Sequence, residues 1–165
     1  MNRSAAAAVR SGYASRVKIH VDADGCPVKQ EVYRVAKRCG VHVHVVANTW
    51  MQIPAGPGVE MVVVSDGFDA ADDWIVEHAE ALDVVVTADI PLAARCVAKR
   101  AIVIDPKGRR FTEADIGSAL ASRDLMAHLR ESGLITGGPA PFKDRDRSQF
   151  LQALDTAIQQ ARRGR

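Results

Sequence analysis

The apolar residues of this chain fall into short β-type runs separated by stretches with helical spacing. Residues 17–21 alternate apolar and polar positions, as a strand exposed on one face does. Residues 61–64 are wholly apolar and residues 84–87 nearly so, which predicts strands covered on both faces. Residues 41–47 and 101–104 supply two more strands. Between them, Pro27 opens a helix with Val28, Val32, Val35 and Cys39 on one side, and Gly40 ends it. Residues 69–78 read as a helix with acids in its first turn, where the helix dipole favours them. Residues 90–100 form another, with Pro91 near its start. Thr112 and Asp115 have the spacing of a capping box and start a helix that runs to about Ser132. A Gly/Pro-rich loop at 133–141 precedes a charged helix over about 147–162. Strands alternating with helices predict an α/β fold, a three-layer α/β/α sandwich around a mostly parallel, doubly wound sheet.

Four of the apolar runs stop on an aspartate: Asp22, Asp66, Asp89 and Asp105. In a parallel sheet the carboxyl ends of the strands share one edge, where such folds bind ligands. Carboxylates gathered there repel one another unless a cation lies between them, which points to a divalent metal held by oxygen. Asp22 and Asp24 stand two apart on an extended segment and share a face, so both could approach one ion. Asp24-Gly25 also reads as a turn in which Asp24 caps the next helix. Asp69 lies three and four residues before Asp72 and Asp73, on neighbouring turns of one helix face. The helix dipole or a metal would offset that repulsion. Thr87 precedes Asp89 by two and could orient a carboxylate or a water, whereas Asp105 precedes a proline turn and could equally be a cap. The candidate ligands are therefore Asp22, Asp24, Asp69, Asp73 and Asp89.

Composition narrows the setting. With 165 residues, 47% apolar and 25% charged, the chain suits one soluble domain, expected over 17–160. Residues 1–16, rich in Ala, Ser and Arg and without an acid, are expected to be a disordered extension. No run approaches the roughly 20 apolar residues needed to span a bilayer. The three cysteines form no CxxC and leave an odd one over, which fits a reducing cytoplasm. Residues 1–91 carry 8 basic and 12 acidic residues, net −4, while 92–165 carry 14 and 8, net +6. An acidic cluster beside a basic flank suits a polyanion handled through metal ions. Arg95, Lys107, Arg109 and Arg145 are the candidates to grip a phosphate backbone. Only Phe111 and Phe142 stand near them, which argues against a module that binds single strands by stacking. His42 and His44 alternate on one strand face and could pair on zinc. No cysteine or third histidine stands at a ligand-like spacing, so they read as a half-exposed face. Cys26, just before a helix, is a weak candidate nucleophile.

Val-Asp-Ala-Asp-Gly-Cys-Pro-Val-Lys at 21–29, Asp-Gly-Phe-Asp-Ala-Ala-Asp-Asp-Trp-Ile at 66–75 and Thr-Ala-Asp-Ile-Pro-Leu-Ala at 87–93 resemble the YaiI/YqxD family of bacterial proteins. Ile-Gly-Ser-Ala-Leu at 116–120 and Thr-Gly-Gly-Pro-Ala-Pro-Phe at 136–142 extend the likeness. That family is in turn similar to the PIN-like and NYN nucleases, α/β/α enzymes that hold Mg²⁺ or Mn²⁺ with a few acids and hydrolyse RNA phosphodiesters. The likeness implies a metal-dependent ribonuclease with Asp22, Asp69, Asp73 and Asp89 as catalytic acids and RNA as partner. Asp105 would match a less regular later acid, and the Asp69–Asp73 group stands where many PIN domains carry a glutamate. Two other readings stay open. One is a haloacid-dehalogenase-type phosphatase with Asp22 as nucleophile and Asp24 as acid/base. The other is a non-catalytic RNA-binding protein that keeps the fold.

Overall fold

A computed structural model describes residues 17–65, 67–134 and 140–164. The expected extension at 1–16, Asp66 and most of the loop before the last helix lie outside them. Strands β1 (Lys18–Asp22), β2 (His42–Ala47), β3 (Val59–Val63), β4 (Val84–Val86) and β5 (Ile102–Ile104) pair in parallel, and β6 (Arg110–Phe111) runs antiparallel to β5. Helices α1 (Lys29–Cys39), α2 (Ala70–His78), α3 (Ile90–Ala98), α4 (Glu113–Glu131) and α5 (Asp144–Arg163) fill the connections and the C-terminus. The order across the sheet is β3-β2-β1-β4-β5-β6. The chain steps outward from β1 to β3, then returns to lay β4 on the other side of β1. The strand order thus reverses between β1 and β4, where open α/β sheets form a crevice at their carboxyl edge.

Two apolar layers make this the predicted three-layer sandwich. Ile19, Val21, Val43 and Val45 face one way and pack with Val32 of α1 and with Phe150, Leu154 and Ile158 of α5. Val46, Val85 and Val103 face the other way, under Ala71 and Ile75 of α2, Leu92 and Cys96 of α3 and Ile116 of α4. The period-2 alternation of each strand is what divides one sheet between two cores.

Local signals set most boundaries. Gly40 ends α1 in the left-handed region at φ 66°, and Thr112 with Asp115 forms the predicted capping box of α4. Helix α1 begins at Lys29 rather than at Pro27, with Val28 as its first boundary residue. Helix α5 starts earlier than its charge pattern suggests, because the Lys143 backbone N–H donates to Asp146 at 2.8 Å. The apolar run at 61–64 is not covered on both faces: β3 is an edge strand and Val63 is 51% exposed. An apolar run marks a strand but not its place in the sheet. Strand β6 is two residues long, too short for any periodicity to announce it.

Gly108 connects β5 to β6 at φ 87°, and a Cβ there would lie 2.7 Å from the backbone of Gln149 in α5. Gly108→Ala is expected to destabilise the protein by about 1–3 kcal/mol through overpacking and backbone strain. A urea melt checks this; an unchanged midpoint would contradict the packing described.

Candidate metal centre

Asp22 is the last residue of β1, beside the end of β4, where Val21 pairs with Val86. The next residue after that register position is Thr87, buried, whose hydroxyl donates to Asp22 Oδ2 at 2.8 Å. Thr87 Oγ1 in turn accepts the backbone N–H of Asp89 at 3.0 Å, and Asp89 Oδ1 accepts the N–H of Leu92 at 3.0 Å. One threonine therefore orients the Asp22 carboxylate and fixes the backbone of Asp89, which caps α3. Asp24, exposed, accepts the N–H of Asn48 at 3.2 Å. Asp69 stands at the N-terminal boundary of α2.

The electrostatics tie these groups together. Burial raises the Asp22 pKa, the Thr87 hydroxyl opposes it, and the charges of Asp89 and Asp24 raise it further. Asp72 is pushed up to about 6, by burial first and then by the charges of Asp89, Asp22 and Asp69, with Arg95 opposing. The helix explains why Asp72 takes this place rather than Asp73. Ala71 and Ile75 are the buried residues of α2, and Asp72 follows about 80° from the middle of their stripe. Asp73 falls on the outer side and pairs with Arg95 at 2.9 Å.

The structure thus brings Asp22, Asp24, Asp69 and Asp89 into one carboxylate field with Asp72, and turns Asp73 toward Arg95. Asp105 accepts the backbone N–H groups of Lys107 and Arg109 at 2.9 and 2.8 Å, a turn cap after β5. Burial raises the Cys26 pKa, which keeps it a thiol rather than a reactive thiolate.

Of the basic candidates, Lys107 Nζ donates to Ala140 O at 3.2 Å and Arg145 is exposed in the first turn of α5. Arg109 lines a groove with Ile90, Ser118, Arg123, Met126 and Arg130. Arg123 and Arg130 escaped the reading of the chain. Their seven-residue spacing, two turns on one helix face, was the available signal. Ile90 follows Asp89, so the groove adjoins the acids.

The donors there are carboxylate oxygens alone, the ligand chemistry that hard divalent ions take. Their oxygens are more widely spaced than those of His42, His44 and Glu60, which among the described residues lie within 4.8 Å of one another.

The metal-free protein should show this repulsion as a pH dependence. Asp72 has a folded pKa above its unfolded value, so it binds its proton more tightly when folded. Its contribution to stability is complete below the unfolded carboxyl pKa and is lost as pH rises through about 6. In EDTA, Asp72→Asn is expected to melt about 1 °C above the parent at pH 7.5 and level with it at pH 4. An equal difference at both values would contradict the shared field.

A family model described as "Uncharacterized BCR, YaiI/YqxD family" matches residues 20–160. The chain is 56% identical over 147 residues to a UPF0178 protein of Nitrobacter winogradskyi, covering 89% of this chain and 94% of the relative. It is 57% identical to a UPF0178 protein of Azorhizobium caulinodans, with 89% and 92% covered. A UPF0178 protein of Paramagnetospirillum magneticum is 55% identical, with 88% and 97% covered. No solved structure matches the chain.

Proposed function

This chain belongs to the YaiI/YqxD family, and we propose that it is a divalent-ion-dependent ribonuclease whose acids act at the carboxyl edge between β1 and β4. The observation that carries this reading is the Thr87 hydroxyl holding Asp22 at 2.8 Å within the common field of Asp89 and Asp72. Asp22, Asp89 and Asp72 would hold Mg²⁺ or Mn²⁺, with Asp69 and Asp24 at the rim. A bound ion supplies Lewis-acid polarisation of a phosphoryl oxygen and a lowered pKa for water.

The chain's own residues do the rest. Thr87 keeps Asp22 in one rotamer, so the ligand arrives oriented. Arg95 compensates the charge of Asp73 and limits the excess negative charge that would repel a phosphodiester. Arg109, Arg123 and Arg130 line the groove beside Ile90 and would bind backbone phosphates without reading sequence. The likeness to PIN-like and NYN nucleases supports the same reading. Among the described residues no helix is long and apolar enough to cross a membrane; we place the protein in the cytoplasm, where RNA is available.

The test is incubation of the full chain with structured RNA, single-stranded RNA and a small phosphate monoester, in Mg²⁺, Mn²⁺ or EDTA. The proposal predicts RNA cleavage in Mg²⁺ or Mn²⁺ and none in EDTA. Ester hydrolysis without RNA cleavage would favour the phosphatase. RNA binding without product in either metal would favour a non-catalytic protein.

A further inference from the structure

Beneath α2, in the half of the sheet away from the acidic edge, β1, β2, β3 and the residue just before β4 contribute to a second polar constellation. His42 and His44 project from β2 on the same face, and β3 places Glu60 directly opposite His44 in the ladder. The Nε2 atoms of His42 and His44 each lie 3.4 Å from Glu60 Oε2. Those separations match the roughly 3.3 Å edge of a tetrahedron whose centre is 2.0–2.1 Å from nitrogen and oxygen ligands.

Hydrogen bonding behind His44 orients its ring. The buried Asp83 carboxylate accepts the backbone N–H of Lys18 at 3.1 Å and of Glu80 at 3.0 Å. It also takes His20 Nε2 at 3.1 Å, so that nitrogen carries a proton and donates. His20 Nδ1 lies 3.2 Å from His44 Nδ1, so one of the two carries the shared proton. With that proton on His44 Nδ1, the lone pair of its Nε2 is aimed at the Glu60 carboxylate. In that tautomer two lone pairs face each other across 3.4 Å, an arrangement that a cation between them satisfies. A carboxylate–histidine chain behind a ligating imidazole is a common support in zinc sites, where it sets tautomer and orientation. Accessibility fits entry from solvent: Glu60 is 60% exposed, His42 26% and His44 14%.

We propose that His42, His44 and Glu60 form a three-ligand site for a divalent transition-metal ion of the Zn²⁺ type, with Asp83 and His20 supporting it. Two imidazoles and one carboxylate leave a fourth position open to water or another ligand. The imidazole donors select borderline ions, whereas the oxygen-only edge selects hard ones. An ion here would also clip the edge strand β3 to β2. The spacing of His42 and His44 alone could not disclose the site, because the third ligand arrives from the next strand.

The experiment is titration of Co²⁺ into the EDTA-stripped, dialysed full chain, followed by visible absorption. One equivalent is expected to give the intense d–d bands of tetrahedral coordination, bleached when Zn²⁺ is added. His42→Ala and Glu60→Gln should each weaken binding at least about tenfold, while Asp22→Asn leaves the bands in place. Both replaced side chains reach the surface, and their melts in EDTA should equal the parent's. Absent or octahedral-type bands in the parent would overturn the assignment. So would bands that survive in both variants, or that vanish in Asp22→Asn because the ion lies at the sheet edge.

Discussion

Asp22→Asn is expected to lower Mg²⁺- or Mn²⁺-dependent RNA cleavage by about 10² or more without unfolding the protein, since even residues that merely support metal ligands cost 10–100-fold. Asparagine keeps an oxygen to accept the Thr87 hydroxyl, now 2.8 Å from Asp22 Oδ2, so the geometry at the end of β1 survives. What disappears is the charge. Asp22 is disfavoured as an anion first by burial and then by Asp89 and Asp24, so removing that charge relieves repulsion in the metal-free protein. The expected signature is therefore an inactive variant whose thermal midpoint in EDTA equals or exceeds the parent's. Destabilisation together with lost activity would instead mark Asp22 as a structural residue. Activity retained within a few-fold would remove it from the site.

Asp83→Ala should be among the most damaging single changes to stability, about 3–5 kcal/mol, because it breaks one side of a buried polar pair. Asp83 and His20 are both fully buried, with Asp83 Oδ2 3.1 Å from His20 Nε2. Alanine would strand that N–H and the backbone N–H groups of Lys18 and Glu80 where water does not reach. For a chain of this size the loss corresponds to a midpoint lower by about 10 °C. Asp83→Asn should cost less, since the amide oxygen can still accept. Burial acts to raise the Asp83 pKa, but the His20 hydrogen bond and the backbone donors of Glu80 and Lys18 outweigh it, and the net shift is downward. A lowered folded pKa contributes stability that is present above the unfolded carboxyl value and lost as pH falls through the folded one. The gap between parent and variant should therefore narrow below about pH 4, as chemical melts at pH 7 and pH 3 would reveal. A midpoint within about 2 °C of the parent at pH 7 would contradict the account.

Much of the sheet could be read from the chain because its strands are bounded by strong signals. An apolar run ending on an acid, then a turn and a helix start, marks the carboxyl edge at Asp22 and again at Asp89. The position of β3 could not be read this way, since residues 61–64 would look equally apolar in the middle of a sheet. Which acids share a field depended on helix phase. Asp69, Asp72 and Asp73 have equivalent spacing on paper, and only the buried stripe of Ala71 and Ile75 decides that Asp72 faces the others. Arg95, offered as a phosphate ligand, is engaged by Asp73, while Arg123 and Arg130 complete the groove that Arg109 begins. Contacts between strands distant in sequence, such as Glu60 against His44, depend on register and leave no local trace.

The central claim is that the acids at the β1–β4 edge form a divalent cation site. Mn²⁺ binding followed by the loss of the free-ion electron paramagnetic signal tests it most directly, in parent, Asp22→Asn, Asp89→Asn and His42→Ala proteins. The account predicts Mn²⁺ bound by the parent and by His42→Ala, and at least tenfold weaker binding in both aspartate variants. Equal binding by all four proteins, or none by the parent at millimolar Mn²⁺, would contradict it.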